Sequence, residues 1–396
     1  MSDALEVAVG WSAKVNALSA GTEAAESALS RLPSRTPHLA LVFGSSWLDQ
    51  IPLLDGVHSV IGAIPLAGES TAGEITSEGP RSHSCVVALF YSDTPFCSVG
   101  LGEAIDRNPR EAGQQAGYAA IRGFRGNRRA GLLLFGDGLA TSFADVVRGL
   151  QEALGTSSLI AGGMAGDDLR FSRTYQYAGD RVVSQSVVGV LIGGAVKIGV
   201  GIEHGFAPIS KPRRITRAKA NILYELDDQP AASVYEEYFG TELVQRMQQE
   251  GLTRQAIAYP LGIQREVSEQ WLLRNVVSFG EDGSLLCSGE LPETGWLQLM
   301  IGSREAALDA AYRAAQQATR PLNRIACTLV FDSALRRKLL GPRHAEMEIA
   351  RIKDVIGAAT PLVGCYTYGE QAPFGTTTYE RSTVQTGSVL VIALGL

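Results

Sequence analysis

Three acidic residues stand in the same local setting. Glu74 ends Pro65-Leu-Ala-Gly68-Glu-Ser-Thr-Ala-Gly73-Glu74, Asp167 ends Ser158-Leu-Ile-Ala161-Gly-Gly-Met-Ala-Gly166-Asp167, and Glu370 ends Pro361-Leu-Val-Gly364-Cys-Tyr-Thr-Tyr-Gly369-Glu370. Each has a pair of apolar residues, a Gly or Ala, four residues, a Gly and an acid. Glycine reaches positive φ and lets a ligand or a second backbone come close. The acid behind it has two readings: a cap on its own turn, or one wall of a pocket on which all three loops converge. Nucleophilic chemistry has weaker support. Ser45-Ser46, Ser142 and Cys365 have no neighbouring His and acid in a recognisable arrangement, and neither G-x-S-x-G nor a metal-ligand cluster occurs. Gly136-Asp137-Gly138 lacks the rest of a phosphate-loop fingerprint. No enzyme is expected.

The elements that position these loops also recur. Leu39-Ala-Leu-Val-Phe-Gly-Ser, Gly131-Leu-Leu-Leu-Phe-Gly-Asp and Cys327-Thr-Leu-Val-Phe-Asp-Ser read as central strands covered on both faces. Return strands start at Ser84, Ser186 and Gly387. Helices are predicted over 108–124, 142–154, 303–319 and 345–356, from Asn-Pro and Ser starts and Gly or Pro stops. A run of strands fills 175–226, and a helix opens at Pro230. The expected fold is α/β: two lobes of mixed β-sheets flanked by helices, built from three related strand–helix–strand units that each carry a glycine/acid loop.

Composition narrows the class of function. The chain has 396 residues, 45% hydrophobic and 19% charged, with a net charge of -6. That balance suits a globular protein with more than one lobe and argues against nucleic acid or an anionic membrane as partner. The basic run Lys211, Arg213, Arg214, Arg217, Lys219 reads as a solvated strand edge. No stretch is long and apolar enough to span a bilayer, and the first residues lack the pattern of a signal peptide. Five cysteines without C-x-x-C fit a reducing compartment. A cytoplasmic location is expected.

Several of these segments, in order, resemble the FIST N and FIST C domains. Ser70-Thr71-Ala-Gly-Glu74-Ile, Ala161 to Asp168, and Leu226-Asp227 with Gln229-Pro230-Ala231 are similar to FIST N elements. Tyr259-Pro-Leu-Gly, Leu273-Arg274-Asn-Val, Asp282-Gly-Ser-Leu, Glu290-Leu-Pro, Arg336, Gly364 to Glu370 and Gln385-Thr386 follow the FIST C order. The resemblance places an N-type sensory domain over 35–230 and a C-type domain over 231–396. Ser333 stands where the family commonly has a cysteine three residues before the arginine.

The resemblance implies a small-ligand sensor. With both FIST halves using up the length, it would signal in trans to a partner, most simply a histidine kinase, and a homodimer is the oligomer considered. Two ligands follow. NosP-type members bind haem and sense nitric oxide, which here implies non-covalent haem b, since C-x-x-C-H is absent. Of the five histidines, His204 is the candidate axial ligand, because it ends the apolar strand Val196 to Ile202 and precedes Gly205-Phe206. The alternative is an amino acid or similar polar molecule. Arg274 or Arg336 would then meet a carboxylate, and Glu74, Asp167 or Glu370 an ammonium. Ser70, Thr71, Tyr366 and Thr386 complete the candidate binding residues.

Overall fold

The computed structural model describes residues 5–32, 36–140, 143–250, 257–264, 271–373 and 382–396. It contains one supersecondary unit three times. The first unit runs β1 (Leu5–Ser12), α1 (Ala17–Ser30), β2 (Leu39–Ser45), α2 (Gln50–Ile61), β3 (Leu66–Thr71), the hairpin β4 (Glu74–Thr76) and β5 (Gly79–Arg81), then β6 (Cys85–Ser92). The second repeats it as β7 (Cys97–Glu103), α3 (Pro109–Gly123), β8 (Arg129–Gly136), α4 (Phe143–Leu154), β9 (Ile160–Met164), β10 (Gln176–Ala178), β11 (Arg181–Val183) and β12 (Ser186–Gly193).

The third unit opens with β13 (Lys197–Glu203) and is interrupted by an inserted sheet. The insert comprises β14 (Phe206–Pro208), β15 (Arg213–Lys219), β16 (Ile222–Leu226), β17 (Gln229–Pro230), α5 (Ser233–Glu250), β18 (Leu261–Gln264), β19 (Trp271–Arg274), β20 (Val276–Phe279), β21 (Leu285–Cys287) and β22 (Gly295–Gly302). The unit then resumes with α6 (Arg304–Thr319), β23 (Ile325–Ser333), α7 (Ala334–Ile356), β24 (Leu362–Thr367), the hairpin β25 (Gly369–Pro373) and β26 (Ser382–Gln385), and β27 (Val389–Gly395).

Each unit gives its hairpin away. The six-stranded sheets run β1-β6-β2-β3-β10-β11, β7-β12-β8-β9-β25-β26 and β13-β27-β23-β24-β4-β5. Only the central pair of each sheet is parallel: β2 with β3, β8 with β9, β23 with β24. The second unit's hairpin thus completes the first sheet, the third's completes the second, and the first's completes the third. This exchange closes the three units into a pseudo-threefold ring.

Register explains the glycines of the motif. Val42 pairs with Gly68, Leu134 with Gly162 and Val330 with Gly364. A Cβ at these glycines would lie 1.9, 2.0 and 1.8 Å from the carbonyl oxygens of Val42, Leu134 and Val330. No side chain fits at that separation. The structural partner of Gly68 and Gly364 is therefore Gly162, one residue beyond Ala161. Glu74 pairs with Cys365, Glu370 with Gly163 and Gln176 with Glu69, so Gln176 occupies the position of Glu74 and Glu370, while Asp167 and Asp168 lie within a longer second loop.

The inner faces of the three sheets meet on the axis. Phe43, Phe135 and Phe331, at equivalent positions of the central strands, form a triangle with ring centroids 6.1, 6.1 and 6.0 Å apart. All three are fully buried, and each contributes on the order of 2–3 kcal/mol of burial. On the outer faces, α1, α3 and α6 turn mainly alanine and glycine toward the edge strands, where Gly10, Gly100 and Gly201 lie against the backbone of Ala24, Ala116 and Ala314.

Three local expectations change. The first unit begins at Leu5, with a strand and a helix ahead of Leu39; Asn16 caps that helix by accepting the Ser19 amide at 2.9 Å. The helix expected from Ala345 starts at Ala334 and continues through a break at Gly341, where φ is 71°. The basic strand β15 is interior, between β22 and β16, and its arginines pair with Asp227, Glu237, Asp228 and Glu225. Ser142, start of one expected helix, lies outside the described residues; α4 itself follows from Phe143.

Candidate functional site

The three glycine/acid loops meet where the hairpins cross from one sheet to the next. A backbone ring joins them: the Ala72 amide donates to the Tyr366 carbonyl at 2.9 Å, the Tyr368 amide to Met164 at 2.9 Å, and the Gly166 amide to Ser70 at 3.0 Å. The loops converge, but their acids do not share a pocket. Glu74 accepts from the Thr71 and Ser84 hydroxyls and from the Ser84 amide, the last at 3.1 Å. Glu370 repeats this, accepting from the Thr367 hydroxyl at 2.8 Å and the Ser388 amide at 3.1 Å. Both carboxyls are fully buried. Burial pushes Glu74 up to about 7 and Glu370 well above the ordinary range.

Asp167 behaves differently. Its carboxylate accepts the amides of Phe171, Ser172 and Arg173 at 2.9, 2.7 and 2.9 Å, and the Tyr368 hydroxyl donates to it as well. It caps a segment in which Asp168, Leu169 and Phe171 have φ of 57, 60 and 50°. Ser70 is likewise structural, donating to the Gly166 carbonyl and accepting the Tyr175 amide, both at 2.9 Å.

The two arginines expected to meet a carboxylate part company. Arg336 is fully buried and spends its guanidinium on Asp332, Glu348 and the carbonyls of His204 and Ala307. It ties α7, β23, α6 and the base of the insert together. Tyr366 is also buried, with the Arg337 guanidinium 4.6 Å from its ring centroid. Arg274 is 4% exposed, yet among the described residues no carboxylate pairs with it. Among these residues it donates only to the Glu290 and Leu273 carbonyls, at 2.7 and 2.8 Å. Burial pulls it down to about 10, so it remains charged at neutral pH.

Arg274 lines a cleft of about 700 Å³ between the inserted sheet and the second unit. One wall is α4, with Phe143, Val147 and Gln151; the other brings Leu272, Leu291 and Pro292 from the insert, and Tyr368 and Thr386 close the end. Gln151 is 8% exposed and its side-chain amide nitrogen has no hydrogen-bond partner among the described residues. Thr386 donates to the Leu273 carbonyl at 2.9 Å and meets Ser288 at 3.1 Å. Glu290 adds a half-buried carboxylate. The arrangement offers one desolvated cation, free donors and an apolar wall. Of the residues expected from sequence, it contains Arg274 and Thr386. Gln151, Ser288, Glu290 and Tyr368 were not legible as a group, because they come from three separate segments.

His204 lies apart from this cleft. Its Nδ1 accepts the Phe206 amide at 2.9 Å. Burial, then the charges of Arg336 and Arg313, pull the imidazole down to about 4. Among the candidate nucleophiles, Ser45 is buried and Ser46 donates to Asp168 at 3.3 Å. Cys365 sits on the axis with its sulfur 3.5 Å from Glu69, its thiol pushed far up by burial. Ser142 is outside the described residues.

A pseudo-threefold assembly of mixed sheets, with crossing glycine/acid loops and a cation-lined cleft beside an insert, defines a ligand-binding class of protein. The chain belongs to the FIST family: residues 38–229 match the FIST N domain and 231–373 the FIST C domain. FIST domains are in general small-ligand sensory domains. An uncharacterized protein of Mycobacterium tuberculosis is 24% identical over 391 residues, covering 93% of this chain and 95% of that protein. One of Methanocaldococcus jannaschii is 36% identical over 76 residues, which span 19% of this chain and only 15% of its relative. Among solved structures, a cyanuric acid hydrolase from A. caulinodans aligns over 99% of this chain and 100% of its own at 11% identity; its TM-score of 0.37 is too low to carry an argument.

Proposed function

We propose that this FIST protein senses a small carboxylate-bearing molecule, an amino acid being the simplest, in the cleft between the insert and α4, and reports binding to a separate signalling partner such as a histidine kinase. The observation that carries the reading is Arg274, a buried guanidinium facing the cleft without a counter-carboxylate among the described residues. A buried cation left unpaired is costly, and a ligand carboxylate offsets that cost with charge-assisted hydrogen bonds. Glu290 supplies the opposite charge for an ammonium, and Phe143, Val147 and Leu272 a surface for an apolar side chain. Binding rather than turnover suits a site whose lining contains no paired acid, base and nucleophile.

Of the two ligands the sequence suggested, the geometry favours this one over haem. The Nδ1 of His204 is engaged with the Phe206 amide, two arginine charges act on the ring, and His204 does not line the Arg274 cleft. Such surroundings do not fit a haem iron. The test is calorimetric titration of the full chain with a panel of amino acids. A member of the panel should bind, and Arg274→Gln should weaken it at least 10-fold with an unchanged fold by circular dichroism. Binding untouched by Arg274→Gln, or haem-supplied protein with a Soret band that moves on adding nitric oxide and is lost in His204→Ala, would overturn the proposal.

A further inference from the structure

The ring creates three equivalent places for a cleft, each between the end of a central strand, a crossing loop and an exchanged hairpin. The Arg274 cleft is one: Gly138 and Phe143 follow β8, Tyr368 comes from the third loop, and Val384 and Thr386 from the exchanged β26 with its flank. At the first place the second loop fills the space. Arg170 reaches Ser46 at 2.8 Å and lies over Trp47 at 4.9 Å, and Arg173 reaches Ser184 at 3.4 Å.

The third place is open. A cleft of about 590 Å³ lies there, with Ala334, Arg337 and Lys338 following β23, Ala72 at the register position of Tyr368, and Pro80, Arg81 and Ser82 from the exchanged β5 with its flank. We infer that this cleft is a second ligand site, for a compact, multiply charged anion of the phosphate class.

Charge and shape carry the assignment. Arg337 donates to the carbonyls of Ala72 and Arg81 at 2.8 and 3.0 Å and to the Ser82 hydroxyl at 2.6 Å, and no carboxylate pairs with it among the described residues. Arg81 is paired with Glu78 at 2.7 Å, but its Nε is buried with no acceptor among the described residues. Lys338 adds a third cation and Ser82 a hydroxyl at the cleft wall. Two carboxylates line the same space. Asp168 accepts the Ser46 hydroxyl at 3.3 Å and lies within electrostatic reach of His83, Arg337 and Arg170, so it offsets part of the positive charge, and Glu346 is exposed. The apolar lining is limited to Leu169 and small groups: alanines and two prolines. There is nothing to hold a large hydrocarbon body, unlike the wall of Phe143, Val147 and Leu272 in the Arg274 cleft. Clustered arginine and lysine beside a hydroxyl recognise phosphate oxygens.

Inorganic pyrophosphate is the probe, titrated into the full chain at low ionic strength by calorimetry. Wild-type protein should bind it, and Arg337→Gln and Lys338→Glu should each weaken binding at least 10-fold. Arg337 also braces the first loop, so the exposed Lys338 variant, checked for an unchanged melting temperature, decides the matter if Arg337→Gln does not fold. No heat of binding at millimolar pyrophosphate, or equal affinity in wild type and Lys338→Glu, overturns the assignment.

Discussion

The first and third crossing loops differ from the second, although all three descend from the same turn. In the first and third, a threonine, a glutamate and the residue opening the return strand form a closed clamp: Thr71, Glu74 and Ser84, then Thr367, Glu370 and Ser388. In the second the corresponding residues are Ala165, Gln176 and Ser186. No hydroxyl stands at the first position and an amide replaces the acid at the next, while Asp168, within the longer loop, accepts from Ser46. Asp167 takes over as a cap for the residues after it. Two corners of the ring are thus locked by buried acids, and the other is held by a strained segment braced by Tyr368, which also faces the Arg274 cleft. The locked corners look built for stability and the braced one for response.

The largest expected effect concerns the first clamp and pH. The Glu74 carboxyl is raised from the ordinary 4.5 to about 7, so the folded state holds this proton more tightly than the unfolded chain does. Its contribution is complete below pH 4.5 and is lost as pH rises through 7, a swing of about 3 kcal/mol. Urea unfolding across that window should therefore show wild type losing stability relative to Glu74→Gln as pH climbs. A parallel pH dependence of the two proteins would break the idea that this clamp holds a proton.

Next in size is a direct contrast between corners. Glu370→Ala leaves the Ser388 amide buried without its acceptor and the Thr367 hydroxyl with only the longer Asp332 carbonyl contact at 3.2 Å, and should cost about 2 kcal/mol. Asp168→Ala, at a partly exposed site with a single 3.3 Å contact from Ser46, should cost less than about 1 kcal/mol. Equal urea midpoints for the two variants would erase the distinction. The smallest effect is local. Tyr368→Phe removes the hydroxyl that donates to Asp167 and accepts the Leu169 amide at 2.7 Å, worth about 1 kcal/mol. Faster amide exchange should appear in 167–173 and not around Thr367 and Glu370; uniform acceleration would mean that the braced loop is no separate unit.

Much of the fold was legible in the chain, because its signals are local. The apolar runs at Leu39, Gly131 and Cys327 are β2, β8 and β23, and the stops at Gly123, Gly155 and Pro321 closely bound α3, α4 and α6. The glycine/acid turn marked the crossing points, since a Cβ at Gly68 or Gly364 would strike a neighbouring carbonyl in any context. The motif misplaced the second acid, because Ala161-Gly162-Gly163 offers two registers and the second loop is longer than the others; only pairing with Leu134 and Glu69 shows that Gln176 holds the place of Glu74 and Glu370. The first strand and helix were passed over because they carry no copy of the turn.

Sequence by itself determined the family, the repeated unit and the α/β class, all of which rest on residue type and short spacing. Only the tertiary structure decided what each charged group does. Arg274 and Arg336 are equivalent as letters, yet one faces a cleft unpaired and the other is spent on two acids and two carbonyls. The family boundary near residue 230 falls within the insert, while hairpins from both halves complete each other's sheets. Strand exchange, and with it every cleft between units, depends on hydrogen bonds between residues up to hundreds of positions apart, and no local pattern encodes them.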